Sequence, residues 1–320
     1  MIPQFSVVIP LYNKEPHIKR AINSVINQTV TDFEVIVVDD GSTDEGAKIV
    51  STFGDPRIHL IQQRNSGVSA ARNRGIREGK SRFIAFLDAD DEWAPNYLNK
   101  ILKLIEEFPS AGLYGTAYKD EFGNVCGNLS KTSEFQNLVP TEGLVPNYFQ
   151  IANKGYYIFC ASSVAAPKEV LLELGGFRED FWWGEDEDMW GRIALKYPIA
   201  YSSQVCSIYH QNVVNSTSRG KKPVKSHPFI NSAREYISGG NVPAEILDDV
   251  KELIKYNEVL AAKHNMLVCG DYDLALKILI RKDIMLFNRK QIIRSLLSSI
   301  IRNKFSSLDK VIIYFSRIPR

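Results

Sequence analysis

Long apolar runs are missing from this 320-residue sequence. None reaches the roughly 18 to 20 residues that a helix needs to cross a bilayer. Cysteine is scarce: Cys126, Cys160, Cys206 and Cys269 stand far apart and form no C-x-x-C pair. That spacing excludes a disulfide scaffold and a thiolate zinc site, and it points to a reducing compartment. The opening segment, MIPQFSVVIPLYNKE, carries no basic stretch ahead of an apolar one, so a cytoplasmic location is expected. Net charge is also small, at +2, but it hides an asymmetry. Residues 281–320 hold ten Lys/Arg against two Asp/Glu, a charge of +8, which leaves the other 280 residues at −6. An acidic body argues against nucleic acid as a partner, whereas a basic tail suits either an anionic membrane surface or a solvated helical end.

What is present is an alternation of short apolar strands with amphipathic helices over the first 120 residues. This pattern predicts an α/β fold with a largely parallel central sheet flanked by helices. Strands are expected at Phe5–Ile9 (stopped by Pro10), Phe33–Val38, Ile58–Gln62 and Arg82–Leu87, with helices at Glu15–Asn27, Val68–Glu78 and Pro95–Phe108. Periodicity weakens between 119 and 155. Tyr157–Val164 then reads as a buried strand, Glu169–Leu174 as a short helix, Glu185–Lys196 as a helix and Ile199–Tyr209 as extended. The expected organisation is a ligand-binding and catalytic domain over 1–215, a flexible basic loop over 216–240 and a helical C-terminal extension over 241–320. Within that extension, 244–268 and 271–280 would form a hairpin broken at Gly270.

A parallel sheet binds ligands beyond the carboxyl ends of its strands. After the first strand the sequence IPLYNKEPHI contains no glycine, so a dinucleotide-binding loop is excluded. The segment Gly75-Ile76-Arg77-Glu78-Gly79-Lys80-Ser81 is one residue too short for a phosphate-cradling loop and precedes a strand instead of following one. The strand ends carry acid instead: Asp39-Asp40 after the second, and Asp88-Ala89-Asp90-Asp91 after the fourth. An EF-hand is excluded because Trp93 and Asn99 stand where that loop needs glycine and glutamate. Carboxylates at a sheet edge suit a hard divalent cation that takes its remaining ligands from water and substrate phosphates. A second acidic run, Glu185-Asp186-Glu187-Asp188, opens a helix, where acids also simply favour the helix dipole.

Five segments, in this order and at this spacing, resemble family 2 glycosyltransferases of the GT-A fold: VVIPLYNKE, EVIVVDDGSTD, SGVSAARNRG, FIAFLDADD and GGF…GEDEDMWGR. The likeness is strong over 5–109, moderate over 172–212 and absent between about 119 and 155 and beyond 220. It implies a nucleotide-sugar donor, most often a uridine diphosphate sugar. Pro10 and Tyr12 would close the first strand's edge, with the Tyr12 ring either against the uracil or in ordinary packing. Asp40 would accept the uracil N3–H, a contact that thymine offers equally, and Asp39 would tie down the turn after it. Gly67, Ala70 and Ala71 would let their helix lie close to the sheet. Arg72 would either reach the diphosphate or lie on an exposed face.

By the same likeness Asp88-Ala89-Asp90 resembles the DXD motif. Asp90 would bind Mn²⁺ or Mg²⁺ on the diphosphate, and Asp88 would contact the ribose, or the metal through water; Asp91 would stand behind them. His210 would add a metal or phosphate contact, or be structural. Asp186 would be the general base of inverting transfer, with Asp188 as the alternative. Glu185 and the Trp182 and Trp183 rings would contact the acceptor, one ring being alternatively core.

The implied activity is inverting, metal-dependent transfer of a sugar to a hydroxyl of a glycan or lipid-linked saccharide, making a β-linkage. The alternative is a catalytically silent GT-A domain that binds nucleotide sugar or glycan as an assembly partner. Ile292, Ile293, Leu296, Leu297, Ile300 and Ile301, among basic residues, would make an interfacial helix or pack on the protein.

Overall fold

The computed structural model describes residues 2–125, 133–211 and 222–279. Strand β1 (Phe5–Leu11) is the centre of a parallel block, paired with β2 (Phe33–Asp39) on one side and β4 (Phe83–Phe86) on the other, with β3 (Ile58–Gln62) beyond β2. The sheet continues through β8 (Val164–Pro167), antiparallel to β4, and then β6 (Leu113–Asp120), β9 (Ile199–Tyr209) and β5 (Glu92–Trp93). β6 and β9 run parallel to each other, and β7 (Glu142–Leu144) pairs β9 off this path.

Side chains alternate across a strand, so a strand apolar at every position must be covered on both faces. Val7, Ile9 and Leu11 of β1 join a core with Ile18, Ile22 and Val25 of α1 (Glu15–Ile26), Val50 of α2 (Gly46–Ser51) and Ile101 and Leu104 of α4 (Tyr97–Glu107). Val8 faces the opposite layer, where Ile76 of α3 (Val68–Glu78), Leu171 of α7 (Lys168–Glu173) and Trp190 and Ile193 of α8 (Glu185–Ala194) gather.

β1 runs two residues past Ile9, through its expected stop at Pro10, to Leu11. Val8 O accepts from Leu87 N, and Pro10, two residues on, faces the same side, beyond the last β1–β4 pair at Val8–Phe86. The missing proline N–H therefore interrupts no ladder bond.

The close approach of α3 to the sheet belongs to Gly75, not to the expected Gly67. A Cβ on Gly75 would stand 2.3 Å from Val8 Cγ1, whereas one on Gly67 would meet nothing within 4 Å. Gly67 instead takes φ 92° at the helix N-cap, a conformation that favours glycine.

Of the strand expected at Tyr157–Val164, only Val164 is in the sheet, as the first residue of β8. A 3₁₀ turn at Ala161–Ser163 precedes β8, because the serines divert the backbone: Ser163 Oγ accepts from Cys160 N at 3.0 Å and Ser162 Oγ from Asp88 N at 3.0 Å. Where a loop was expected over 216–240, Pro228–Ser238 forms helix α9. It buries Phe229, Ile230 and Ala233, and the Phe229 ring packs where a Cβ on Gly191 of α8 would stand 2.3 Å from it. The region of weak periodicity holds α5 (Ser133–Leu138), β7 and α6 (Tyr148–Asn153).

The chain divides into two compact units, Met1–Gly220 with Pro228–Leu253, and Lys221–His227 with Ile254–Arg320. Helix α10 (Leu247–His264) starts in the first. In the second unit α10 continues into a π turn at Asn265–Cys269, Gly270 at φ 70° breaks the chain, and α11 (Tyr272–Leu279) follows. There Asn265 clamps the Val224 backbone, accepting from its N and donating to its O at 2.7 Å each. Among the described residues no helix is long and apolar enough to cross a membrane. The residues of the expected interfacial helix lie outside the described residues.

Candidate active site

The carboxyl ends of β1, β2, β4 and β9 converge with the N-terminus of α8, and nearly all the candidate residues stand there. Asp40 is buried and accepts three hydrogen bonds, from Gln63 Nε2 (2.8 Å), Ser66 N (2.9 Å) and Gly67 N (2.8 Å). A carboxylate offers about four acceptor positions, so one remains for a ligand N–H. Asp39 accepts from Ser42 N at 3.0 Å and so ties down the turn after β2, as expected. Pro10 is half-buried, and Tyr12 beyond it is 46% exposed, open to a ligand rather than packed in the core.

Arg72 is the largest departure from an exposed-face reading. It lies on α3 but is only 3% exposed, covered by the chain around Phe177, with its guanidinium carbon 5.3 Å from that ring's centre. Nη2 donates to Asp88 Oδ1 at 2.8 Å and Nη1 to Glu185 Oε1 at 2.9 Å. Burial alone would lower its pKa, but the carboxylates of Asp88, Glu185 and Asp186 reverse this, and the guanidinium is held charged. Glu185, expected to meet an acceptor, is instead nearly buried as Arg72's partner. Asn73, next on the helix, fixes the facing segment by accepting from Phe177 N at 2.7 Å and donating to Phe177 O at 2.8 Å.

The acidic loop after β4 divides its charges among different partners. Asp88 faces Arg72 and stays 29% exposed. Asp90 Oδ2 accepts from Lys14 Nζ at 2.6 Å, and its carbonyl accepts from Arg20 Nη2. Asp91 is fully buried, accepting from Ser162 Oγ at 2.5 Å and from His210 N at 2.9 Å. Burial, then the neighbouring Asp88 and Asp90, push its pKa well above the usual carboxylate range. His210 therefore reaches this loop through its backbone, while its ring pairs with Glu92, Nε2 to Oε1 at 3.1 Å. Ser162 was not legible from sequence. Its hydroxyl accepts from Asp88 N and donates to Asp91, and its carbonyl accepts from Trp93 Nε1 at 2.7 Å, so one serine braces the whole acidic loop.

Among the described residues, no three His, Cys, Asp or Glu side chains group closely enough to hold a metal ion by themselves. The donor set nevertheless fits a cation shared with a substrate. Asp90 already carries a cationic group on Oδ2, and hard oxygens of Asp88 and Asp90 project from one loop.

At α8, Gly184 in the left-handed conformation (φ 75°) turns the chain so that Glu185 faces Arg72. Asp186 is part-buried. Burial, then Glu185 and Glu187, push its pKa up to about 7, against the opposing pull of Arg72 and a hydrogen bond from Glu187 N. Asp188 is fully buried and structural: Oδ2 accepts from Arg192 Nε at 2.8 Å, and Oδ1 from Ser232 Oγ at 2.6 Å. Arg192 also donates to the carbonyls of Leu174 and Gly176. Asp188 is fully enclosed, whereas Asp186 is part-exposed. Trp182 and Trp183 are both part-exposed at the entrance to α8.

Residues 6–169 match the model of glycosyl transferase family 2. The chain belongs to this family. An uncharacterized glycosyltransferase, EpsJ of Bacillus subtilis, is 43% identical over 146 residues, 44% of this chain and 39% of that protein. The chain thus spans less than half the length of that relative. The GalNAc(5)-diNAcBac-PP-undecaprenol beta-1,3-glucosyltransferase of Campylobacter jejuni is 26% identical over 97% of this chain and 98% of its own length. Among solved structures, S. aureus TarS in complex with UDP-GlcNAc superposes with a TM-score of 0.63 over 93% of this chain and 80% of that one, at 20% identity. The mannosyltransferase PcManGT of Pyrobaculum calidifontis, with GDP-Man and Mn²⁺, gives 0.59 over 96% and 88%, at 19% identity. These likenesses establish the GT-A fold.

Proposed function

We propose that this glycosyltransferase moves a sugar from a nucleotide diphosphate donor, of the uridine type, to a hydroxyl of a glycan or lipid-linked saccharide, with inversion to a β-linkage and with Mn²⁺ or Mg²⁺ at Asp90. The observation that carries this reading is the Arg72 bridge. One buried guanidinium joins the acidic loop after β4 to the acidic start of α8, two motifs far apart in sequence. Donor and acceptor chemistry then share one site.

In this reading the base sits between Tyr12 and Asp40, whose remaining acceptor position takes the N3–H. Asp88 contacts the ribose. Arg72 holds Asp88 and Glu185 in place and carries the positive charge nearest the diphosphate. Asp90 would hold the cation, with Asp88 reaching it through water where it is not on the ribose, and the cation supplies neutralisation of charge on the departing diphosphate. His210 contributes a metal or phosphate contact by releasing Glu92. Asp186, with a pKa near neutrality, accepts the proton of the attacking hydroxyl, and Trp182 and Trp183 stack on sugar faces of the acceptor. A lipid-linked acceptor is supported by the C. jejuni relative named for undecaprenol-linked substrate, and a uridine donor by TarS with UDP-GlcNAc. Surface-polysaccharide assembly and a peripheral position at the inner face of the membrane follow from that acceptor.

A panel of nucleotide sugars tests the proposal, reading donor binding and nucleoside diphosphate release with and without a polyprenyl-diphosphate-linked glycan. Uridine donors should bind and turn over only with acceptor and divalent metal. Full activity in EDTA after verified metal removal overturns the metal role, and preference for a guanosine donor overturns the assignment of Asp40.

A further inference from the structure

Asp88, Asp90 and Asp91 place three carboxylates within four residues of one loop. Each meets a different partner: Arg72 for Asp88, Ser162 and the His210 N–H for Asp91, and Lys14 for Asp90. Lys14 is not a wandering surface lysine. Its side chain is 12% exposed and that of Asp90 17%, with Nζ and Oδ2 2.6 Å apart.

The backbone before Lys14 is built to put it there. Asn13 holds φ 50°, the one non-glycine residue with positive φ among those described. Asparagine tolerates that conformation when its polar side chain is engaged. Here Asn13 N donates to Ser42 Oγ at 3.1 Å, and its Oδ1 accepts from Thr43 N at 2.8 Å. Glu15 N, on the other side of Lys14, donates to Asp44 Oδ2 at 2.8 Å. The turn after β2 therefore grips the chain on both sides of Lys14 and aims its stem at the acidic loop. Arg20, two turns along α1, holds the same loop through the Asp90 carbonyl.

We infer that Lys14 is the resting counter-ion of Asp90, and that a divalent cation enters the site by displacing it, so that Lys14 sets the metal affinity. The inference rests on the metal reading of Asp90 given above. An ammonium 2.6 Å from Oδ2 occupies the space in which a metal–oxygen contact of about 2.0–2.2 Å would form. Two cations on one carboxylate oxygen repel each other, so occupancy by one excludes the other. The exchange is feasible because a lysine ammonium is a compact, hydrated charge on a flexible stem, whereas a guanidinium fork would be harder to dislodge. The metal then binds weakly alone and better with a diphosphate, whose charge offsets the displaced pair.

Manganese binding to the full-length chain tests this, with free Mn²⁺ counted by electron paramagnetic resonance, without nucleotide and with UDP. Lys14→Met and Lys14→Gln should each bind Mn²⁺ about tenfold tighter than wild type, a difference of about 1.4 kcal/mol. In an Asp90→Asn background the same substitutions should change nothing, because the competition is for that carboxylate. Unchanged or weaker Mn²⁺ binding in both Lys14 variants, with thermal melts showing them folded, overturns the inference while leaving the metal at Asp90. Mn²⁺ binding that ignores Asp90→Asn, or that is absent from every variant even with UDP, overturns the metal reading and this inference together.

Discussion

Arg72 Nη2 lies 2.8 Å from Asp88 Oδ1, and the same guanidinium reaches Glu185 with its other terminal nitrogen. A lysine could meet one carboxylate as a point charge but not span two in a plane. The geometry therefore uses what is particular to arginine, and it ties the acidic loop after β4 to the start of α8.

Arg72→Gln should act on both stability and chemistry. Removing one partner of a buried charge pair commonly costs about 3–5 kcal/mol, because carboxylates are left unpaired. Chemical denaturation should show a loss of this order. Arg72 also pulls the pKa of Asp186 down, so its removal should move the ascending limb of the pH–rate profile to higher pH. A variant with wild-type stability and an unmoved profile would show that the bridge carries no weight in solution.

Asp188→Asn should behave differently from any change at Asp186. Asp188 is sealed against Arg192 and Ser232, and Arg192 in turn holds the Leu174 and Gly176 carbonyls. Losing the charge should cost about 3–5 kcal/mol of stability, as for other broken buried pairs. The turnover of the molecules that remain folded should change little at low temperature. A Tm measurement beside an active-site titration separates the two effects. An Asp188→Asn protein that is stable but dead would return the base assignment to Asp188.

Legibility in the sequence followed how local each signal was. β1, β2, β3 and α3 are governed by apolar periodicity and came out nearly residue for residue, as did the acidic strand ends. β6 did not: its Gly115 and Thr116 are buried, and a buried polar strand carries no alternation to read. α9 was hidden among basic neighbours, although its own pattern is amphipathic and buries Phe229, Ile230 and Ala233. In the site, the acidic residues at strand ends were visible because type and position coincide. Partnerships were not. Arg72 with Glu185, Ser162 with Asp91 and Lys14 with Asp90 join distant segments, and charge type alone does not say which pairs meet.

The basic tail makes a prediction from sequence alone. Residues 281–320 carry +8, whereas every residue proposed for donor binding lies before about residue 210. Deleting 288–320 should leave donor binding intact and reduce binding to anionic vesicles. Each basic residue near such a surface contributes about 1 kcal/mol, screened within a Debye length of about 10 Å at 0.1 M salt. Vesicle binding by the full chain should thus fall as salt rises, and sedimentation of vesicles at two salt concentrations checks it. Full-length protein that ignores anionic vesicles at low salt would make the tail a solvated end.

Asp186 makes the sharpest prediction, because its protonation has opposite consequences for rate and for stability. A general base works only when deprotonated. With its pKa pushed up to about 7, activity should rise with pH through that value and level off above it. Asp186→Asn should lower the rate by about 10²–10⁴ and abolish this limb, while donor affinity, which the proposed function assigns to Asp40 and Asp90, stays put. Stability should move the other way. The folded pKa lies above the unfolded carboxylate value near 4, so between these values the native state holds more protons and stability falls as pH rises. At pH 8 the charged Asp186 is a burden that asparagine removes, and the variant should melt higher, by about 2–4 °C for each kcal/mol recovered. At pH 4, where wild type is itself protonated, the two melting temperatures should converge. A variant less stable than wild type at pH 8 would mean that the Asp186 charge is held by favourable contacts, which would disqualify it as a base poised near neutrality.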